Sequence, residues 1–385
     1  MAEVFLENVS RVFRGPWPDR SEVIAVDQLS LAVRDRELLV LVGPSGCGKT
    51  TTLRLIAGLD RPTAGTIQIG ADVVNDQPPR ERSVAMVGQS PALMPHWNVY
   101  RNIVWGLTLQ QGRGDPAQLP GAVREMAGRL QIEHLLERMP GQLSGGERQR
   151  VALARALVRQ ANVLLFDEAL ANLDPPLRAQ LRSELKLLHS RSLCPWVYVT
   201  HDVAEALALA DRVAVMHVGR VQQVGPPQQV FARPAHVSVA RMFGVVPMNL
   251  VEGKLERGGE RVEFCRGRSR LPLPIQVGEK VQRYSDKTAI FGIRPENLRL
   301  APDGDSLATG WPGRVVVVEW LGDASLVTVD VGGLTDGALT EPVWLQAKAG
   351  PQPGVQAGDR VVLSPDVDGC HWFDAATGER LAVND

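Results

Sequence analysis

Lysine is nearly missing from this sequence. Of the 42 basic residues only six are lysines, against 36 arginines, and just two, Lys49 and Lys186, fall within residues 1–235. A chain that builds its surface cations from arginine gives each remaining lysine a reason to be explained. A charge bias is missing too. Lys plus Arg is 42 and Asp plus Glu is 43, for a net charge of −1. That excludes non-specific nucleic-acid binding, which rests on neutralising many phosphates. No apolar run approaches the ~20 residues of a membrane span. The first residues, MAEVFLENVS, carry acids and no apolar stretch, so no secretory signal is expected. Four cysteines (Cys47, Cys194, Cys265, Cys370) lie far apart without a CxxC pair. That speaks against a disulfide framework or a zinc site and for a reducing compartment. With 44% apolar residues, disorder is excluded as well.

What is present divides in two. Residues 1–235 alternate strands and helices. Leu38-Leu39-Val40-Leu41-Val42 is a continuous apolar run, as expected of a strand buried on both faces. Strands are also expected at Val4–Phe13, Val23–Val33, Val84–Val87, Val163–Phe166, Trp196–Val199 and Arg212–Met216. Helices are expected at 49–58, Val99–Leu109, Val123–Leu136, Gly145–Val158, Pro175–His189 and Val203–Ala210. Leu177, Leu181, Leu185 and Leu188 mark one face of the fifth. This pattern predicts a parallel sheet with helices on both faces, plus a helical subdomain at about 90–160. After Gly225-Pro226-Pro227 comes a short helical tail. Residues 236–249 read as a linker, and 250–385 as a small all-β, barrel-like domain. The first part has a net charge of +3 and the part from 236 onward −4.

Three stretches carry chemistry. Gly43-Pro44-Ser45-Gly46-Cys47-Gly48-Lys49-Thr50 fits G-x-x-x-x-G-K-[ST] without a mismatch, after a buried strand and before a helix. Glycines there let backbone N–H groups approach phosphate oxygens, and the helix N-terminus adds positive partial charge. Lys49 is expected on the β- and γ-phosphates, Thr50 on Mg²⁺, and Thr51 near the α-phosphate. Cys47 reads as a small loop filler. The second stretch is Val163–Phe166 followed by Asp167 and Glu168. Asp167 is placed to hold Mg²⁺ through water, and Glu168 to polarise the attacking water. His201, just after a strand and before a helix capped by Asp202, is expected at the γ-phosphate. Gln89 is expected to bridge Mg²⁺ or water to a moving subdomain. The third stretch, Leu143-Ser144-Gly145-Gly146-Glu147, opens a helix and forms a second anion site. A second phosphate loop is redundant in one monomer. It makes sense if it serves a nucleotide held by another copy.

LSGGERQRVALARAL resembles the signature of ABC-transporter ATPases. The whole motif set stands in order: GPSGCGKT, Gln89, LSGGE, VLLFDE, the LANLD loop and His201. The resemblance covers residues 3 to about 245. It implies a P-loop NTPase with a RecA-like core and a helical subdomain. It implies a head-to-tail dimer, homo- or heterodimeric, in which ATP lies between one phosphate loop and Ser144, Gly145 and Gly146 of the other subunit, with Asp174 at the interface. It also implies an aromatic stacked on adenine. Phe13 occupies that position, with Trp17 as the alternative. Gly292-Ile293-Arg294-Pro295-Glu296 and Phe373-Asp374-Ala375-Ala376-Thr377-Gly378 resemble an OB-like regulatory domain of importer ATPases. Pro247-Met248-Asn249-Leu250 is similar to the linker of the sugar and glycerol-3-phosphate branch.

The implied protein is a peripheral ATPase on the cytoplasmic face of a bacterial membrane. Its partners are two permease subunits and, indirectly, a solute-binding protein, with no nucleic acid. Polyamine, iron or sulfate import and a soluble, non-transport ABC ATPase are the alternatives. OB-like barrels can bind oligonucleotides, but the acidic balance of 236–385 disfavours that. Four departures from the family pattern stand out: Gly88 for an aromatic before the glutamine, Ala169 for proline, Ala171 for serine, and an apparent insertion at Gly15–Ser21. None touches Lys49, Asp167, Glu168 or His201, so ATP hydrolysis is still expected.

Overall fold

A computed structural model describes residues 3–15, 21–108, 119–159, 161–244, 246–258, 261–266, 269–273, 281–302, 310–332, 343–366 and 369–381. The chain forms two compact units, Met1–Val230 and Phe231–Asp385. The break falls five residues before the expected boundary at 235.

In the first unit, β1 (Val4–Arg14), β2 (Glu22–Val33), β3 (Leu38–Val42), α1 (Lys49–Ala57), β4 (Ala64–Ile69), β5 (Asp72–Val73) and β6 (Val84–Val87) come first. Then follow α2 (Val99–Thr108), α3 (Leu119–Arg129), α4 (Gly145–Leu157), β7 (Val163–Asp167), α5 (Pro175–Ser190), β8 (Trp196–Thr200), α6 (Val203–Leu209), β9 (Arg212–His217), β10 (Arg220–Gly225) and α7 (Pro227–Ala232). β1, β2, β4 and β5 make an antiparallel sheet in the order β2-β1-β4-β5. The second sheet runs β10-β9-β3-β8-β7-β6. Its pairings are parallel except β9 with β10. All five residues of β3, β7 and β8 are buried. Apolar surface on both strand faces demands cover on both sides of the sheet, and that burial is the main favourable term.

Two details differ from expectation. The helix expected over Val123–Leu136 ends at Arg129. Gln131 turns left-handed (φ 55°) and Ile132 N–H bonds back to Ala127 O (2.8 Å), which closes the helix end. The second lysine also gains an account. Lys186 Nζ on α5 donates to Leu209 O and, at 3.2 Å, to Asp211 Oδ1, while Asp211 Oδ2 accepts from Leu38 N–H at 2.9 Å. Lys186 therefore fastens α5 to the α6–β9 turn and the start of β3.

The second unit begins with α8 (Val237–Met242), so the segment read as a linker holds a helix. Its strands are β11 (Asn249–Gly258), β12 (Arg261–Arg266), β13 (Ser269–Pro272), β14 (Thr288–Ile293), β15 (Leu298–Pro302), β16 (Trp311–Trp320), β17 (Ser325–Asp330), β18 (Trp344–Ala349), β19 (Arg360–Pro365) and β20 (Cys370–Asp374). They form two antiparallel five-stranded sheets, β13-β12-β11-β14-β20 and β15-β19-β16-β17-β18. Phe264, Phe291, Trp311 and Trp372 fill the core, with ring centroids 5.0–5.6 Å apart. Asn249 joins the sheets: its amide donates to Gln346 O (2.8 Å) and accepts from Gln346 N–H (2.8 Å). Arg294 of the GIRPE run is buried and donates to Phe243 O (2.6 Å) and Phe231 O (2.7 Å). The short linker-like motifs are thus internal ties of this unit.

Candidate functional site

The phosphate loop starts where buried β3 ends and closes into α1. Gly48 is left-handed (φ 104°), and a Cβ there would meet Ala25 O at 2.3 Å; a Cβ on Gly43 would meet Met216 O at 2.3 Å. Both positions must therefore be glycine for this loop to hold its path. Gly46 is left-handed too (φ 77°), but opens to free space. Lys49 is buried, and its ammonium is curled into the loop, donating to Gly43 O (2.8 Å) and Pro44 O (2.9 Å). Cys47 is buried beside it, and burial pushes its thiol pKa up, so it acts as filler rather than as a nucleophile.

β7 runs beneath this loop and delivers two carboxylates. Asp167 Oδ1 accepts from the Thr50 hydroxyl at 3.0 Å. Burial raises the Asp167 pKa, and the Thr50 hydrogen bond opposes that shift. Glu168 sits in the left-handed region (φ 49°), a costly conformation for a non-glycine residue, fixed by Glu168 N–H to Val199 O (2.9 Å). Its carboxylate is held from two sides. His201 Nδ1 donates to Oε1 (2.8 Å), and Gln89 Nε2 donates to Oε2 (3.1 Å). Lys49, Thr50, Asp167, Glu168, Gln89 and His201 thus gather at the carboxyl ends of the parallel strands, where open α/β sheets bind ligands.

The signature loop is built differently. Ser144 caps α4: its hydroxyl accepts from Glu147 N–H (3.2 Å) and Glu147 Oε2 accepts from Ser144 N–H (2.7 Å). Its backbone hydrogen bond is also the first cause that lowers the Glu147 pKa. Gly146 packs toward the next loop, since a Cβ there would meet Leu173 Cδ2 at 2.9 Å. Asp174 caps α5 through Leu177 N–H (3.3 Å). Among the described residues no hydrogen bond joins Ser144, Gly145, Gly146 or Asp174 to the phosphate loop or Glu168. Phe13 stands on β1, 38% exposed, with the Arg11 guanidinium 4.5 Å from its ring centroid. Trp17 lies outside the described residues, as does most of the Gly15–Ser21 excursion, which Gly15 N–H closes onto Ser21 O (2.9 Å).

Sequence reasoning missed several supports. Arg178 donates to Ala171 O (3.1 Å) and Leu173 O (2.9 Å), clamping the LANLD loop. Gln149, on the signature helix, donates to Gly88 O (3.3 Å), linking that helix to the Gln89 segment. Arg155 donates to Ala92 O (2.6 Å) in the same segment. Side-chain bonds to backbone carbonyls leave no residue-type signature, so only their positions on helix faces could have hinted at them.

The family ABC transporter matches residues 26–171, with MalK OB fold domain over 247–298 and TOBE domain over 291–373. An sn-glycerol-3-phosphate import ATP-binding protein UgpC from Cupriavidus pinatubonensis is 40% identical, over 99% of this chain and 100% of its own length. This chain belongs to the ABC transporter ATP-binding proteins. It is also 42% identical to the trehalose/maltose import ATP-binding protein MalK of Thermococcus litoralis, over 99% of this chain and 100% of that one. The sulfoquinovosyl glycerol transport ATP-binding protein SmoE of Agrobacterium fabrum is 43% identical, over 91% and 94%. A solved dimeric bacterial ABC transporter cassette, MJ0796, matches with a TM-score of 0.53 at 27% identity, over 58% of this chain and 98% of that chain. The expected fold holds: an ABC ATPase P-loop unit followed by an all-β OB/TOBE unit. The chain is an ABC ATPase that binds and hydrolyses ATP. Among the described residues, no helix of this ABC protein is long and apolar enough to cross a membrane.

Proposed function

We propose that this chain is the ATPase subunit of a sugar-type ABC importer, and that Glu168 polarises the water that attacks ATP. The observation that carries the chemical part is the double anchorage of Glu168 by His201 and Gln89, next to the Asp167–Thr50 pair. A carboxylate with both oxygens fixed cannot swing away, so its remaining lone pairs are aimed before substrate arrives. Gly43 to Thr51 cradle the phosphates through backbone N–H groups. The Lys49 ammonium exchanges its loop carbonyls for β- and γ-phosphate oxygens. Phe13 offers a face to adenine.

A Mg²⁺ ion fits the donor set, which is one hydroxyl and, beside it, a buried carboxylate, both oxygen donors of the kind this hard cation takes. Thr50 and Gln89 would hold the ion with Asp167 acting through water, and it would supply charge neutralisation on the β- and γ-phosphates. Ser144, Gly145 and Gly146 lie on a capped helix N-terminus not bonded to the phosphate loop. That supports their service to ATP on a partner subunit, with Asp174 at the same interface. Two membrane permeases and, indirectly, a solute-binding protein complete the assembly at the cytoplasmic face. A cavity of about 520 Å³ lined by Thr50, Asp167, Gly88, Gln89 and Arg155 joins the phosphate site to the Gln89 segment. The names of the sugar and glycerol-phosphate relatives and the OB match favour sugar-type cargo over polyamine, iron or sulfate.

Sizing of the Glu168→Gln protein with ATP tests the dimer reading. A shift from monomer to ATP-dependent dimer, reversed by Ser144→Arg on the same background, supports it. A monomer with saturating bound ATP contradicts it.

A further inference from the structure

An aromatic ring on the exposed end of a strand is free to turn unless something holds it. Phe13 stands near the end of β1, opposite Val23 of β2, which is exposed as well. The register of this pair slips just before them: Arg11 pairs with Val26, but Val12 pairs with Ile24, so Ala25 bulges out of β2. The bulged Ala25 carbonyl is the atom that a Cβ on Gly48 would meet, so the phosphate loop packs against β2 close to the Phe13–Val23 pair. A second set of ties fixes β1 just ahead of the ring. Thr63 N–H donates to Ser10 O (2.7 Å), Val12 N–H donates to Thr63 Oγ1 (3.0 Å), and Arg11 donates to Arg61 O (3.0 Å). Residues 61–63 follow α1, the helix that begins at Lys49. The strand under Phe13 is therefore set against both ends of the phosphate-binding element.

Two arginines bracket Phe13, and they differ in partner. Arg14 pairs with Glu22 at 3.1 Å. Among the described residues Arg11 forms no ion pair, and its Nε is buried without a hydrogen-bond acceptor. Two residues apart on a strand, Arg11 and Phe13 lie on one face, and the Arg11 guanidinium carbon is 4.5 Å from the ring centroid. That is a cation–π contact, in which the negative face of the ring answers the charge. It has two consequences for a ring meant to stack on a base. One face is covered and the ring is held in a single orientation. The cation also draws π density toward itself, which leaves the opposite face poorer in electrons and better matched to an electron-rich purine.

We propose that Arg11 is a positioning residue for the adenine base: it holds one face of Phe13 and presents the other to the nucleotide. This rests on the reading of Phe13 as the adenine contact. Arg11 touches no phosphate in this arrangement, so its effect is confined to ligands that carry a base.

Titration calorimetry on the nucleotide-free full chain, in EDTA so that no hydrolysis occurs, tests this with two probes: ATP and inorganic triphosphate. Arg11→Gln should weaken ATP about fivefold, while inorganic triphosphate, which has no base, binds within about twofold of wild type. Arg11→Lys keeps a cation for the ring and should recover most of the ATP affinity. Phe13→Leu should weaken ATP about tenfold, and adding Arg11→Gln to it should change affinity by no more than about twofold, because the two act through one ring. Equal weakening of ATP and triphosphate in Arg11→Gln overturns the proposal, since Arg11 would then act on the phosphates by charge. Undiminished ATP binding in Arg11→Gln beside a weakened Phe13→Leu overturns it too, and spares the adenine reading of Phe13. Undiminished ATP binding in Phe13→Leu removes that reading and this inference together.

Discussion

Replacing Gly48 by alanine should injure the phosphate loop far more than the same change at Gly46, although both glycines are left-handed. At Gly46 (φ 77°) a new Cβ meets nothing within 4 Å. The cost is then only that of a non-glycine residue in the left-handed region, about 1–2 kcal/mol. At Gly48 (φ 104°) the same cost applies, and in addition the Cβ would stand 2.3 Å from Ala25 O. That atom is backbone in β2, which pairs with β1 and cannot rotate aside. Relieving such an overlap moves the chain and costs about 1–3 kcal/mol more. Urea denaturation followed by tryptophan fluorescence should therefore place Gly48→Ala about 1–3 kcal/mol below Gly46→Ala. A fluorescent ATP analogue should also bind Gly48→Ala at least about tenfold more weakly than wild type, because the loop amides must shift with residue 48. Equal stability of the two variants, or unchanged nucleotide affinity in Gly48→Ala, refutes the reasoning from close approach.

His371 is buried in β20, and burial, with Arg380 and Arg294 nearby, lowers its pKa to about 4 from 6.5. The unfolded chain takes up the proton first, so its stabilising contribution is complete above about pH 6.5 and is lost as pH falls toward 4. The loss reaches about 3 kcal/mol, and urea titrations from pH 7 to 4 should show a shallower slope in His371→Gln. Asn249→Ala strips the side-chain partner from both the half-buried Gln346 N–H and its O, and should destabilise the second unit by about 1–3 kcal/mol, read by thermal unfolding. Gly88→Tyr should leave stability within about 0.5 kcal/mol, because a Cβ there finds only Ser90 O at 3.7 Å; a large drop in melting temperature would contradict that open setting.

Much of this protein was legible because the relevant residues are consecutive. The apolar run of β3, the glycine pattern after it and the two carboxylates ending β7 each report local physics: burial on two faces, a tight loop, a strand end. The cap at Asp202 was equally local, and Asp202 does accept from Ala204 N–H (2.8 Å) and Glu205 N–H (3.3 Å). What stayed hidden depends on partners distant in sequence. Lys186 had no account until Asp211 and Leu209 came beside it. Asn249 read as part of a linker, whereas it is a tie across the two sheets, 97 residues from its partner. The end of α3 was misplaced because the apolar spacing continues through Ile132 and Leu135 while the backbone has already turned at Gln131. Periodicity reports which side chains are buried, not whether one helix or a helix and a separate turn bury them.

The central claim is that Glu168, pinned by His201 and Gln89, polarises the attacking water without being needed to bind ATP. Steady-state hydrolysis with Mg-ATP, measured beside nucleotide affinity for wild type and Glu168→Gln, tests it most directly. Removal of a positioned general base predicts a loss of about 10²–10⁴-fold in turnover, with ATP affinity unchanged within about threefold. Substantial hydrolysis by Glu168→Gln, or a loss of hydrolysis that merely follows a loss of ATP binding, would contradict the account.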